Sequence, residues 1–489
     1  MRHQRVTLEV KNWGPIARGR ITIRPLTIFI GPNNAGKSYM AMLYYALMRG
    51  LRRTLPMFTL RSLAYRLMFF KLRDNIEREI SSLVRKKLLK IENESTYTIF
   101  EKYYLSILNK QINNIAKTEL KREIERIFSS KITDLIKSGT KDSKIRLEII
   151  SEIASLSCNI SLLPSEETNI RIELKTLNKE KLLKEIRKAS SSHIRKPRKK
   201  SAQKLAYQVS DIADHYLENL TSIFRNEIHY LPASRAGILH SYRTVAGAII
   251  SLAPLAPIRG AEIPKIPGPI ADFLSDLIEI GPEETGQSEN VNLSREFEKE
   301  ILEGETKLTK EIPEAPPSLA YKFDEHEISI ARTSSMIAEL APLNLYLKYG
   351  KIKRGDTIII EEPEAHLHPD KLAKLAKLIA QLINQLDLTI IITTHSDVLL
   401  AKLSNLTSLS GLPSKELEKL GYKEEETIKP KDVAVYNFHK EKDHIIIEPI
   451  KVTYEGIPDD TFRKIIEELY EETMNIYYRI QELKTQRGI

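Results

Sequence analysis

Cysteine is nearly absent from this 489-residue chain: Cys158 is the one thiol. That excludes disulfide staples, a Cys-x-x-Cys zinc hook and a thiolate cluster. Its surroundings, "LSCNISL", read as a buried strand rather than the setting of a nucleophile. Long apolar runs are missing too. No stretch approaches the ~20 residues that span a bilayer, and the opening "MRHQRVTLEV" lacks the apolar core of a secretory signal. The expectation is a cytoplasmic protein with no membrane partner. Internal repeats are absent as well. What is present, 42% hydrophobic and 29% charged residues, is the balance of a globular chain with room for two or three domains.

The formal net charge of +10 is unevenly spread. Between Lys181 and Lys204 stand ten Lys and Arg against Glu185 alone, a local excess of +9. Ser and Pro in "KASSSHIRKPRKKSAQK" mark this stretch as an exposed linker. It has no interleaved aromatics, so any nucleic-acid contact there would be electrostatic and salt-sensitive, without base reading.

Along the chain, "RVTLEV" and "RITI" alternate as half-buried strands do, and "LTIFI" is a short apolar run of a fully buried one. "GKSYMAMLYYALM" reads as a buried helix. From Leu51 to about Ser138 the pattern is helical, followed by strands at "KIRLEII" and "NIRIELKTL". A helix at "KLAYQVSDIADHYLENLTSIF" leads to a strand at "IHYLPASRAGIL". Pro254 to Pro317 is proline-rich and irregular around two short helices. "LAYKF" and "EISIA" read as strands, "SSMIAELAPLNLYLKYG" as a helix, "DTIII" and "LTIIITT" as buried strands with a helix between them, and "DVAVYNF" and "HIIIEPI" as closing strands. An amphipathic helix is expected from Asp460 to about Lys484. Buried strands alternating with helices predict an α/β fold with a largely parallel sheet covered on both faces. The long, mainly helical block, residues 51–228, interrupts it as an insertion between residues 1–50 and 229–489.

The stretch "FIGPNNAGKS" carries the chemistry. Gly31, Pro32, Asn33, Asn34, Ala35, Gly36, Lys37 and Ser38 match the P-loop pattern G-x-x-x-x-G-K-S. The glycines let backbone N–H groups turn inward around phosphate oxygens, Lys37 reaches the β- and γ-phosphates, and Ser38 coordinates Mg²⁺. A buried strand before the loop and an apolar helix after it are the context this mechanism needs. ATP and Mg²⁺ are the expected cofactors. The complementary carboxylates appear in "DTIIIEEPEAHLHPD", at the carboxyl end of a buried strand. Glu361 would hold Mg²⁺ through water, and Glu362 would act as general base for the attacking water. "LTIIITT" ends at His395, whose imidazole would hydrogen-bond the γ-phosphate. His366 and His368 suggest a metal pair that shares one face of a strand, a weak site without a third ligand. Arg235 in "PASRAG" is open between a contact to nucleotide or DNA and a structural role.

These parts in this order resemble the ATP-binding-cassette ATPases of the SMC/RecF-like branch, with relatives among OLD-type and AAA-type ATP-binding proteins. "LEVKNWGPIARGRITIRPLTIFIGPNNAGKS" looks like that branch's opening, "EEPEAHLHP" like its Walker B and D-loop, and "TTHSDVLL" like its switch-histidine segment. "YLPASRAGIL" and "TSSMIAELAPL" are also similar to segments of the group. The resemblance covers about the first fifty residues and most of the chain after His229. It implies a P-loop NTPase head of ABC type with an antiparallel β subdomain, and an ATP-sandwiched homodimer or higher oligomer. In such a dimer the signature serine of one subunit caps the γ-phosphate held by the other. Ser335 matches that serine best, with Ser334 as the alternative. Two positions depart from the pattern: Met336 stands where many members carry Gly, and Glu361 where transporter-type members carry Asp. His366 and His368 fall in the D-loop region, and no Q-loop glutamine is identifiable.

Three functions compete for an ATPase of this kind. It could engage DNA in repair or antiviral defence, alone or with a separate nuclease or effector. It could be an OLD-type nuclease, which needs a strand-end Glu and a D-x-D for two metals; Glu448, Asp459 and Asp460 are the available acids, and no D-x-D is present. It could serve a transporter, against which stand the basic run and the roughly 320 residues between Lys37 and Glu361, beyond the ~50–250 of a compact domain.

Overall fold

The opening alternation becomes a hairpin. The computed structural model describes residues 4–54, 96–165, 168–190, 212, 215–220, 222–241, 266–281, 288–309, 317–442, 444–458 and 470–480. Strand β1 (Arg5–Trp13) pairs antiparallel with β2 (Ile16–Ile23). Val6, Leu8 and Val10 are buried while Glu9 and Lys11 face outward, the period-two pattern of a sheet with one wet face. β3 (Leu26–Ile30) is buried at every position. Helix α1 (Lys37–Thr54) follows the loop after it.

Helix α2 (Leu105–Phe128) packs on α1. It is followed by β4 (Ser143–Ile150), β5 (Ala154–Leu162) and β6 (Thr168–Thr176). These three strands, from the stretch expected as an insertion, continue the opening hairpin, because β4 pairs antiparallel with β1, β5 with β4 and β6 with β5. Cys158 sits on β5, buried as expected, and burial pushes its thiol up to about 12. β6 ends the sheet, and α2 closes that edge through two asparagines one turn apart. Asn113 accepts from the Ile172 amide and donates to its carbonyl, each at 2.7 Å, and Asn109 does the same for Leu174 at 2.8 and 3.3 Å. Side-chain amides thereby take the bonds another strand would compete for.

β7 (Ile228–Leu231) and helix α3 (Gly268–Glu279) precede a separate antiparallel sheet of β8 (Glu305–Thr309), β9 (Ser318–Phe323) and β10 (His326–Ser329). β8 falls in the stretch expected to be irregular. Its sequence "ETKLT" has one large apolar side chain, so its strand state comes from pairing with β9. Then follow α4 (Ser335–Lys348), β11 (Thr357–Glu361), α5 (Pro369–Leu386), β12 (Thr389–Thr393), α6 (Asp397–Leu409) and the closing hairpin β13 (Val433–Glu441) and β14 (His444–Ile450).

The main sheet has eleven strands in the order β6-β5-β4-β1-β2-β14-β13-β3-β12-β11-β7. The segment β13-β3-β12-β11-β7 is parallel throughout; the rest of the sheet is antiparallel apart from the parallel pair β2–β14. The sheet is therefore mixed rather than largely parallel. Composition follows this division at its extremes: β1, β4, β5 and β6, with polar alternation, are antiparallel with one solvated face, and the buried runs β3, β11 and β12 form the centre of the doubly covered parallel part. Phe29, Ile359 and Ile391 pack toward α1, and Ile28, Ile30, Ile358, Ile360, Ile390 and Ile392 toward α4, α5 and α6. Each such side chain contributes about 1.5–3 kcal/mol on full burial.

Residues 55–95, the basic cluster from Arg195 to Lys204, and most of the helix expected over 204–224 lie outside the described residues. The expected C-terminal helix is helical over 470–480, its remainder also lying outside them.

A buried cluster of charges binds α1, α2 and α3 together. Glu123 of α2 is fully buried, with Arg53 at 2.6 Å, Arg126 at 2.7 Å and Arg49 at 3.3 Å. Arg126 and Arg49 also reach Asp272 of α3, at 2.7 and 3.1 Å. Burial alone would push the Glu123 carboxyl up, but Arg126, Arg53 and Arg49 hold it below the usual carboxylate range. Removing this charge leaves Arg53 without its acid and Arg126 and Arg49 with Asp272 alone, so Glu123→Gln should cost about 3 kcal/mol in urea unfolding at neutral pH. A carboxyl depressed in the folded state stabilises above its unfolded pKa and loses that contribution as pH falls through the folded value. The difference between wild type and Glu123→Gln should therefore shrink in acid.

Candidate functional site

β3 and β12 lie side by side and parallel, with Phe29 paired to Thr393. This pairing brings the loop after β3 against the segment after β12, and the Thr394 amide donates to the Phe29 carbonyl at 3.0 Å. In the loop, Gly31 has φ 135° and Gly36 has φ 85°, regions that favour glycine. A Cβ on Gly31 would collide with the Phe438 carbonyl of β13, and one on Gly36 would come within 2.9 Å of Pro15 and Ile16. The "NWGPI" turn between β1 and β2 is thus the seat on which the P-loop rests. Pro32, Asn33, Asn34 and Ser38 are exposed, Ala35 is buried, and Asn34 also has a left-handed backbone, φ 62°. Such a loop, opening into the N-terminus of an 18-residue helix, presents unpaired N–H groups and the positive end of a helix dipole to an anion.

Lys37 is buried among acceptors. Its Nζ donates to the carbonyls of Gly31 and Pro32, at 2.8 and 2.9 Å, and lies 2.9 Å from His395 Nε2. Burial pushes the Lys37 ammonium down to about 8, against the pull of Glu362 and Glu364. His395 is lowered from its ordinary value by burial and by the Lys37 charge, so at neutral pH a neutral imidazole accepts from the ammonium. Glu362 Oε1 lies 3.8 Å from His395 Nε2. Three side chains from three distant segments, Lys37, His395 and Glu362, therefore meet at one point.

β11 delivers the acids. Pairing of Glu361 with Thr393 aligns the ends of β11 and β12, and the Glu362 amide donates to the Thr393 carbonyl at 2.9 Å. Glu362 has φ 44°, a conformation costing a non-glycine residue about 1–3 kcal/mol; it turns the carboxylate off the strand axis toward solvent. Glu361 is buried. Its Oε2 accepts from the Ala233 amide at 3.2 Å, while Oε1 is buried with no hydrogen-bond partner. A buried carboxylate oxygen without a donor fits a cation ligand, so the residues present suit Mg²⁺.

Two residues have roles the sequence did not disclose. Glu364 was legible only as one more acid in "EEPEAHLHP". Its Oε1 accepts from the His395 amide at 2.6 Å and from Thr394 Oγ1 at 2.7 Å, so it fixes the backbone that carries the imidazole. Arg235 resolves to the structural alternative. It is 1% exposed, out of reach of any DNA. It donates to the carbonyls of Glu361 (2.7 Å), Pro232 (2.8 Å) and Glu339 (2.9 Å), tying the end of β11 to α4.

Ser335 is the exposed first residue of α4; Ser334 caps that helix, accepting from the Ile337 amide at 3.4 Å. Among the described residues no hydrogen bond joins Ser335 to the P-loop, and Met336 packs partly buried against the core. His366 and His368 are not on a strand. Pro363 ends β11, His366 takes φ 62°, and His368 pairs with Asp370 at the start of α5. No group of three or more His, Cys, Asp or Glu able to hold a metal occurs among the described residues. Glu448 lies on β14, 3.7 Å from His439, and Asp459 and Asp460 fall outside the described residues.

A sequence profile described as an AAA ATPase domain matches residues 6–400, most of the chain and every residue of the constellation above. The chain belongs to the AAA ATPase domain family. It is an ATPase, binding ATP and hydrolysing it to ADP and phosphate. No curated protein matches the sequence. Among solved structures it is similar to an Smc head domain with an extended coiled coil bound to the C-terminal domain of ScpA, derived from Pyrococcus furiosus. That match has 12% identity and TM-score 0.40, covering 96% of this chain and 100% of that one. It is also similar to the SMC head domain from Thermotoga maritima, at 10% identity and TM-score 0.35, covering 91% of this chain and 98% of that one. Among the described residues of the ATPase, no helix is long and apolar enough to cross a membrane.

Two outcomes follow from the geometry of this ATPase. Glu364→Ala removes a charged acceptor worth about 1.5–3 kcal/mol, so kcat should fall roughly 10- to 100-fold with little change in nucleotide affinity, and Glu364→Gln, which keeps one oxygen, should recover much of the loss. Lys37, at about 8 in the chain alone, must be charged to meet a triphosphate. Calorimetry of a non-hydrolysable ATP analogue in buffers of different ionisation enthalpy should then show almost no proton uptake through this group near pH 7, and close to one proton near pH 9. A flat profile would overturn the pairing.

Proposed function

We propose that this ATPase is Mg²⁺-dependent and works as an ATP-sandwiched homodimer, using the hydrolysis cycle to engage DNA or to gate a separate effector, in genome maintenance or in defence against foreign DNA. The observation that carries this reading is the meeting of Lys37, His395 and Glu362 from segments hundreds of residues apart, with Ser335 exposed elsewhere at a helix start. In the proposed cycle, the amides of Gly31 to Ser38 cradle the triphosphate and Lys37 exchanges its loop carbonyls for β- and γ-oxygens. Ser38 and Glu361 would hold Mg²⁺, whose charge offsets that on the phosphate oxygens. Glu362 takes the proton of the attacking water. His395, oriented by Glu364, donates to the γ-phosphate and registers its loss. Ser335 of the second copy completes the site from across the dimer. DNA as the engaged polymer is supported by the net charge of +10 and by the ten basic residues between Lys181 and Lys204.

The test separates binding from turnover. Lys37→Ala should lose detectable ATP binding or turnover. Glu362→Gln should still bind ATP, hydrolyse it about 10²- to 10⁴-fold more slowly, and accumulate as a dimer in light scattering with ATP but not with ADP. A Glu362→Gln variant that hydrolyses normally, or stays monomeric with ATP, defeats the reading.

A further inference from the structure

The outward face of the antiparallel strands carries an arrangement that stability alone does not favour. Lys11 on β1 is in direct register with Arg18 on β2 and with Lys144 on β4, and all three are exposed. Like charges directly opposite one another destabilise a sheet, whereas opposite charges there contribute roughly 0.2–1 kcal/mol. The next row shows the same strands doing the ordinary thing: Glu9 lies between Arg20 and Arg146. The cationic row lacks such an acid. Arg18 has Glu441 at 3.9 Å, between exposed side chains, and Lys144 has Asp142 at 3.7 Å, with the lysine exposed and the acid partly so; such long surface pairs neutralise little. Lys11 has no acid within ion-pair distance among the described residues.

The neighbouring strand keeps this surface low and rich in hydrogen-bonding groups. β5 presents Ser155, Ser157, Asn159 and Ser161 outward, partly or fully exposed, and Arg171 continues the second row beyond Asn159. With strands ~4.8 Å apart, three cations fall within about 10 Å, beside hydroxyl and amide donors. The outward face of these strands carries no aromatic side chain for stacking single-stranded bases. Apart from the half-buried Ile150 it has no large apolar group to enter a bilayer. That chemistry fits the phosphate backbone of a duplex, met without base reading.

We propose that this face, centred on Arg18, Lys11 and Lys144, docks the phosphate backbone of a nucleic-acid duplex. The inference rests on the reading that the ATPase engages DNA, and it assigns the surface. It also supplies a route to the nucleotide. Lys11 and Arg18 flank the turn whose Gly14 abuts Tyr39 and whose Pro15 and Ile16 abut Gly36. A duplex held on the hairpin therefore bears on the seat of the P-loop.

The experiment compares the full chain with the variant K11Q/R18Q/K144Q, using a fluorescein-labelled 30-base-pair DNA duplex and anisotropy across a salt series. The variant should bind at least tenfold more weakly near 0.1 M salt, and its slope of log K against log salt should be shallower by about 2–3, as expected for three lost phosphate contacts. Basal ATP hydrolysis should be unchanged, any duplex stimulation of hydrolysis should disappear, and K11R/R18K/K144R should retain binding. Wild-type affinity and slope in the Gln variant, while wild type binds, would overturn this surface and leave DNA engagement standing. Failure of wild type to bind the duplex even at low salt would overturn both.

Discussion

Everything at the nucleotide end of this molecule depends on β3 and β12 lying next to each other in parallel. The two strands are some 360 residues apart in the chain, yet their pairing brings Lys37 Nζ and His395 Nε2 to 2.9 Å. β11 then adds Glu361 and Glu362 from the far side of β12. The contact between ammonium and imidazole is sustained because burial lowers the pKa of both groups, leaving one charge for two bases. A second protonated group at that spacing would be repelled. The site is therefore held ready by hydrogen bonds to its own loop carbonyls, which a triphosphate can replace with better acceptors.

Around that point the fold supplies restraints in successive layers. Glu364 anchors the backbone of His395, Arg235 anchors the carbonyl of Glu361, and the "NWGPI" turn and Phe438 press on the two glycines of the loop. Behind them the Glu123–Asp272 cluster locks α1 to α2 and α3. Because α1 begins at Lys37, the loop is continuous with a helix that buried ion pairs fasten to two others.

Much of this could be read from residues alone. The buried runs "LTIFI", "DTIII" and "LTIIITT" are strands β3, β11 and β12 almost residue for residue, since a short run of β-branched and apolar residues bounded by turn residues has few other solutions. The P-loop and the acid pair were legible because their chemistry needs fixed spacing within one short stretch. Glu364 and Arg235 were not. Each acts through backbone groups of other segments, Glu364 through an amide 31 positions on and Arg235 through a carbonyl 126 positions on, and no local pattern announces such a partner. β8 escaped notice because "ETKLT" has no intrinsic strand signal, and His366 and His368 were misread as strand residues because Pro363 ends β11 before them.

The sequence by itself determined the class of chemistry and the strands beside its P-loop and acid pair, because apolar periodicity and phosphate-binding spacing are local properties. Tertiary structure alone decided that the opening hairpin would be extended by β4, β5 and β6 into an antiparallel wing with a cationic row, and that Arg235 would be sealed inside. Those outcomes depend on which strands pair and in what register, and register is set by the fit of distant surfaces rather than by any one segment.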